Sequence, residues 1–539
     1  MSADRQPQTP LLAGPAAGRR SRAADDLLTA MALEPAGQVS PSLYETARLV
    51  SLAPWLTGHA ERVRYLLSSQ RADGGWGPPE GYALVPTLSA VEALLVVLRT
   101  APAVDPLTRA VDRGLQMLTR WLSAARSIPD TPAVDLIVPA LTAAINRHLT
   151  RADAPPALRH WRATPRLRLP NGMDDRRLTA VHGLIGAGRA VPEKLLHALE
   201  VVGALARGAQ GVRPTPSGVV GASPAATAAW LGPPDAGERH PGACAYLEGV
   251  VHQHGALAPC ATPVTVFERA WVVATLTRAG IAVAPAPHLI RTLTADLSPA
   301  GITAGPGLPP DADTTAVTLY ALTRLGVHVD RECLWRYETP DGFCTWPGED
   351  GYSVTTNAHV LDVIGQHLAT RPDAQPRYRA AARRLVDALQ QRQQPDGSWL
   401  DRWHASPYYA TMSCALALAE VTGPPVAVTS LTRAADWVVS SQRADGSWGR
   451  WEGTVEETAY AVQVLAAVGR GRPGAEEAIE RGDAYLAANS AAQDVGPALW
   501  HDKDLYRPTM IVRAALLAAR HLASGSDSAR FQPDLSLTG

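Results

Sequence analysis

Ser68-Ser69-Gln70-Arg71-Ala72-Asp73-Gly74-Gly75-Trp76-Gly77 returns almost letter for letter as Ser440-Ser441-Gln442-Arg443-Ala444-Asp445-Gly446-Ser447-Trp448-Gly449. A third copy is Gln393-Gln394-Pro395-Asp396-Gly397-Ser398-Trp399, and Asp341-Gly342-Phe343, with Trp346 close behind, reads as a worn fourth. In each clear copy an apolar helical stretch runs up to the Gln, and Asp-Gly makes a turn. A polar linker after the Trp then leads into another helical stretch. Repeats spaced by tens of residues mean stacked supersecondary units, and each unit here reads as a pair of helices. The second helices fall at 88–98, 225–231, 267–278, 315–325, 357–368, 409–419, 457–468 and 509–522. They are rich in Ala and Leu, and several are apolar nearly all round, as the inner layer of a double ring must be. Strand patterns are few. The expected fold is all-α: helical hairpins closed into barrels (α/α toroids), with the Gln and Trp side chains stapling the outer helices together.

The chain has 539 residues, 46% hydrophobic and 19% charged, enough for two such barrels with large cores. One is expected to reach to about residue 270 and the other to span 271–523, with the Gly- and Pro-rich stretch near 280–310 as a linker or an active-site loop. A formal net charge of -1 argues against nucleic acid or an anionic membrane as partner. Five scattered cysteines without a CxxC pair fit a reducing cytoplasm and give no zinc site. No run of about 18 apolar residues marks a transmembrane helix. Residues 1–39 lack the apolar core of a secretory signal and read as a disordered leader, and 524–539 reads as a loose tail.

Against this background, Pro310-Asp311-Ala312-Asp313-Thr314-Thr315-Ala316 stands out. It follows a Gly/Pro-rich run and precedes an apolar helical pattern, so its plain reading is a helix cap. Its second reading is chemical, because two carboxylates two residues apart can raise one another's pKa.

Helical hairpins with QxxDG[GS]W turns and a DxD-type element at a helix start resemble the class II terpene cyclases. Other stretches match that family in order across roughly residues 40–520. They are Ser40-Pro41-Ser42-Leu43-Tyr44-Glu45-Thr46-Ala47, Ala133 to Leu141 (AVDLIVPAL), Pro263 to Trp271 (PVTVFERAW), Ser353 to Val360 (SVTTNAHV), Trp403 to Thr411 (WHASPYYAT) and Lys503 to Pro508 (KDLYRP). The resemblance implies a γ domain inserted after the first helix of a β domain, both α-barrels, with the active site between them. That sets expected boundaries of 40–56 for the first β-domain helix, 57–270 for the γ domain and 271–523 for the β domain. It also implies protonation of an alkene by Asp313, with Asp311 as supporting carboxylate and Asn357 bonded to the acid. Thr314 stands where the family pattern DxDD has another Asp. That variant resembles bacterial drimenyl diphosphate synthases and points to farnesyl diphosphate as substrate and a drimane-type product. The alternative substrate is geranylgeranyl diphosphate, giving a copalyl- or labdane-type product.

Aromatic faces stabilise carbocations by cation–π attraction. Trp271, Trp335, Trp346, Trp403, Tyr408 and Tyr409 are the candidates to line the cavity, with packing as the competing role of each. His182 falls where the family carries a quenching histidine, but Cys260 replaces its asparagine partner. Asp130, with Asp135 and Glu80 as weaker choices, falls nearest the acidic patch through which family members hold magnesium on the diphosphate, so Mg2+ is the expected cofactor. No aspartate-rich DDxxD/E is present to ionise a diphosphate, so that group is expected to survive the reaction. A squalene substrate fits the length poorly. The ligand set of a zinc prenyltransferase cannot be assembled, and a non-catalytic binding toroid is the alternative from another class. Oligomeric state, a homodimer included, stays open.

Overall fold

The computed structural model describes residues 21–525 apart from 101–104, 125, 152–155, 163, 165, 234, 236–238, 372, 422–426 and 493–495. Residues 1–20 of the expected leader and 526–539 of the expected tail lie outside the described residues.

The three clear repeats fold identically. Trp76, Trp399 and Trp448 are fully buried. Each indole Nε1 donates to the carbonyl ten residues back, at Leu66 (2.6 Å), Leu389 (2.8 Å) and Val438 (2.7 Å). The glutamine amides of Gln70, Gln393 and Gln442 each donate twice. One bond closes the turn on Gly74, Gly397 or Gly446. The other reaches the next outer helix at Ala110, Ser430 or Ala478. Those glycines have φ of 92°, 102° and 86°, and a Cβ at any of them would strike the carbonyl of Arg113, Arg433 or Arg481, so Gly is required there. Asp341-Gly342-Phe343 is not a fourth turn. Gly342–Phe343 pairs with Glu338–Thr339 in a short antiparallel hairpin.

Among the described residues, six inner helices close a ring in the C-terminal barrel: Thr265–Arg278, Ala312–Arg324, Val354–Thr370, Pro407–Val421, Val455–Val464 and Thr509–Ala523, the last packing back on the first. Their small and aliphatic residues form one continuous core. The N-terminal barrel is closed by Leu43–Leu52, Leu84–Thr100, Val134–Thr150, Leu199–Ala206 and Pro224–Leu231, again returning to its first member. Glu80–Arg99 has the length and hydropathy of a membrane span, but it is mostly buried inside this barrel.

Two expected boundaries are corrected. The helix in 40–56, Leu43–Leu52, belongs to the N-terminal ring, where Tyr44, Ala47 and Val50 enter that barrel's core. The helix that joins the C-terminal barrel from the front of the chain is Arg22–Leu33, inside the stretch expected to be disordered. Ser21 caps it, and Ala24, Leu27 and Met31 pack into the C-terminal core against Thr509–Ala523. Their i, i+3, i+7 spacing is an amphipathic stripe that an Ala- and Arg-rich composition concealed.

The barrels lock together through a hairpin, Trp500–His501 with Leu505–Tyr506. Its tip inserts Lys503, fully buried, into the N-terminal barrel. There the ammonium ion-pairs with Glu45 and Glu200 (3.0 Å) and donates to Ser223 and to the His197 carbonyl. Asp502 meets His197 at 2.8 Å, and Asp504 accepts from Ser42 and from the Tyr44 amide.

Candidate active site

The run from Gly301 to Pro310 folds back on itself, with Ile302–Thr303 pairing antiparallel to Pro310–Asp311. This delivers Asp311 as the N-cap of Ala312–Arg324, its carboxylate accepting from the Thr314 amide at 2.6 Å. Thr315 ties the joint together, donating to the Asp311 carbonyl and accepting from the Ile302 amide. The capping reading therefore holds for Asp311. The cap is nonetheless buried, and burial pushes its carboxyl up to about 7. The Thr314 amide opposes that rise and the neighbouring Asp313 charge adds to it.

Asp313, one step into the helix, points elsewhere. Its Oδ1 meets Nδ1 of His359 at 2.6 Å, and both side chains are largely buried. Asn357 is not the acid's partner. Its Oδ1 accepts from the Phe343 amide and its Nδ2 donates to the carbonyls of Phe343 and Ser353, so it clamps the Gly342–Phe343 strand. The partner lies two residues further on, and nothing local to one short motif distinguishes an Asn partner from a His.

His359 lies on the wall of a cavity inside the C-terminal barrel. At its upper end Trp271 donates to the Tyr409 hydroxyl at 2.9 Å and meets the His359 ring edge-on at 5.7 Å. Tyr460 joins them on the lining, and Trp500 and Phe267 stack behind. Glu456, buried behind these rings, accepts from Trp500 and Tyr460 and contacts His404. Of the six predicted aromatics, Trp271 and Tyr409 line the cavity. Trp346 and Trp403 pack edge to face at 5.2 Å, with Trp403 bonded to Thr345, whose carbonyl accepts from Ala312. Trp335 and Tyr408 face outer helices instead, packing on Tyr378 and Trp437. Tyr460, Trp500 and Phe267 were missed because nothing in their local sequence sets them apart from core residues.

His182 sits on Arg176–Gly186 of the N-terminal barrel, its Nε2 buried without a hydrogen-bond partner. Cys260 is fully buried in the core of the other barrel. Among the described residues no hydrogen bond joins His182 to Cys260 or to Asp313.

The magnesium expectation is overturned. Each proposed ligand carries an arginine: Asp130 with Arg402 (2.7 Å), Asp135 with Arg177 (2.9 Å) and Glu80 with Arg450 (2.7 Å). Among the described residues no group of three His, Cys, Asp or Glu side chains converges on a point a metal ion would occupy. Carboxylates already neutralised and facing different cations do not fit Mg2+, which needs converging oxygen donors. Two of these pairs instead bridge the barrels.

Residues 349–509 match the family described as squalene-hopene cyclase C-terminal domain. The chain is 43% identical over 515 residues to the ent-copalyl diphosphate synthase of Streptomyces sp. (strain KO-3988), covering 94% of this chain and 98% of that one. It is 41% identical over 523 residues to the labda-7,13-dienyl diphosphate synthase of Streptomyces clavuligerus, covering 94% and 93%. The solved ent-copalyl diphosphate synthase from Streptomyces platensis superposes with a TM-score of 0.87 at 45% identity, covering 93% of this chain and 99% of that one. Identity at this level over nearly the whole length leaves one assignment: the protein belongs to the class II terpene cyclases.

Proposed function

We propose that the protein cyclises geranylgeranyl diphosphate to a bicyclic copalyl-type diphosphate and leaves the diphosphate in place. The observation that carries the reading is the contact of Asp313 with His359, which itself lines an aromatic-walled cavity. An alkene is a very weak base, so its proton must come from an acid kept out of water. Asp313 is the donor. His359 fixes one carboxyl oxygen, Oδ1. Asp311, whose carboxyl burial lifts to about 7, carries less negative charge beside it at neutral pH than an ordinary aspartate would. The tertiary cation then forms beside Trp271, Tyr409 and Tyr460, whose ring faces attract it, with the Glu456 carboxylate behind them.

The farnesyl reading gives way. It rested on Thr314, but that side chain is buried and hydrogen-bonds the Asp311 carboxyl, and it is not among the residues lining the cavity. The relatives' names, copalyl and labdadienyl, support the longer chain. The described cysteines are all free, as a reducing cytoplasm would keep them.

Incubation with geranylgeranyl and with farnesyl diphosphate, followed by phosphatase and mass spectrometry, tests the assignment. A bicyclic C20 alcohol that appears only after phosphatase is expected. Preferred turnover of the farnesyl chain, or a hydrocarbon released before phosphatase, would overturn it.

A further inference from the structure

The five helices that close the N-terminal barrel all run the same way. Lys503 reaches Glu45, Glu200 and Ser223, which lie at the starts of Leu43–Leu52, Leu199–Ala206 and Pro224–Leu231. Tyr82, just ahead of Leu84–Thr100, meets His501 at 2.9 Å, and Asp130, just ahead of Val134–Thr150, holds Arg402. Every start therefore faces the other barrel, and every last turn faces away from it. The 17 residues of Val134–Thr150 carry the chain about 25 Å from that contact.

This far end is unevenly charged. Between residues 147 and 168 the sequence holds six arginines and a single acidic residue, Asp153. The fold gathers them. Asn146 exchanges two hydrogen bonds with the backbone of Leu167, at 2.9 and 3.0 Å, which sets Arg166 and Arg168 near Arg147. Arg162 donates to the Arg151 carbonyl, which brings Arg159, three residues earlier in the same short helix, to the same end. Arg207 follows Leu199–Ala206, and its stem passes Gly232 at the end of Pro224–Leu231. Arg147, Arg159, Arg166, Arg168 and Arg207 are exposed, and among the described residues no ion pair holds any of them. A cation in a last turn offsets the helix dipole. Arg147 does so, but Arg159, Arg166 and Arg168 lie beyond the last turn. The same end carries Leu205, 45% exposed, the one large apolar side chain of this barrel left so open among the described residues. Its helix breaks at Gly203, whose φ is 58°, just ahead of it.

We propose that this end of the N-terminal barrel docks on an anionic phospholipid surface. Phosphate headgroups complement the open guanidinium groups, whose planar forks suit them. Leu205 enters the boundary between headgroups and acyl chains, as the apolar residue of an interfacial anchor does. The net charge of -1 is an average over the whole chain, and the cations of this face act locally, within a Debye length of the lipid. Nucleic acid would use the same cations but leave Leu205 in water. The contact is peripheral, because the apolar segment Glu80–Arg99 stays mostly buried inside the barrel.

Co-sedimentation of the full chain with vesicles tests this, using phosphatidylcholine alone and phosphatidylcholine with one part in three of phosphatidylglycerol. Wild type is expected to pellet with the anionic vesicles only, and to be released when salt rises from about 0.1 M to about 1 M. Replacing Arg159, Arg166 and Arg168 together by Gln should weaken binding by about 100-fold, about fivefold for each charge. Replacing the same three by Lys should leave it within about threefold of wild type. Leu205→Ser should weaken it by about tenfold without altering its salt dependence. Equal sedimentation with both kinds of vesicle, or a Gln triple variant that binds like wild type, overturns the proposal. So does tighter binding to duplex DNA than to the anionic vesicles at equal phosphate concentration with Leu205→Ser unchanged, which would assign the face to nucleic acid. Should the Gln triple variant fail to fold, Arg166→Glu decides by the same criterion.

Discussion

Two of the buried carboxylate clusters in this protein are built in opposite ways. Around Lys503 the charges are matched. Burial works against its ammonium, but Glu200, Glu45 and Asp502 outweigh it and hold the group protonated well above the ordinary lysine range. Asp502 is kept low against its own burial by His197. Around Asp311 and Asp313 the charges are not matched. No Lys or Arg pairs with either carboxylate among the described contacts; a cap amide and a histidine are what they have. A buried carboxylate facing a full cation is fixed by that charge and holds the barrels together, although burial still lifts Glu45 to about 7 against the pull of Lys503. One without such a partner holds a proton easily and is free to do chemistry.

The contrast can be broken at several points. The largest effect is expected at the unmatched cluster: Asp313→Asn should lower kcat by about 10²- to 10⁴-fold, the span of a lost general acid. Thermal unfolding should leave its melting temperature within about 2 °C of wild type. At the matched cluster the outcome reverses. Lys503→Met strands buried Glu45 and Glu200 and should cost about 3–5 kcal/mol in urea unfolding, and adding Glu200→Gln should recover part of that loss. A third test uses pH. The carboxyl of Asp311 titrates near 7 in the fold and near 3.8 in the unfolded chain. The native state therefore holds a proton that the unfolded state has released. Its contribution to stability is full below about pH 4 and declines as pH rises toward about 7, so Asp311→Asn should flatten the fall in stability across that interval. The smallest effects belong to the inter-barrel pairs. Glu80→Ala and Asp130→Ala, each removing a partly exposed carboxylate from an arginine, should cost less than about 1 kcal/mol and leave turnover within about twofold.

The legible part of the fold was the part with a repeating local code. A Gln, an Asp-Gly turn and a Trp make the same bonds in three places, so their spacing alone announced paired helices in rings. Arg22–Leu33 has no such code. Its burial comes from a surface contributed by Thr509–Ala523, nearly five hundred residues away, and local composition gave no hint of it. The same limit applied at the site. Asp311 and Asp313 were visible because both fall within one helix start. His359 and Asn357 share one helix, and which of them meets Asp313 depends on how two inner helices face each other. Asp130 and Glu80 looked like metal ligands while their arginines, on the other barrel, were out of sight. Thr314 was a real departure from the family pattern, but its meaning was tied to a product when its contacts are with the cap.

The most direct test of the account is a turnover of geranylgeranyl diphosphate in D2O, with the product analysed by mass spectrometry and NMR. Protonation by Asp313 adds one solvent hydrogen to the terminal alkene, and the final step removes a hydrogen of the chain. The account predicts a bicyclic product with its diphosphate intact and a single deuterium on the ring methylene next to the gem-dimethyl carbon. A cyclic product without that deuterium, or one that has lost its diphosphate, would contradict it.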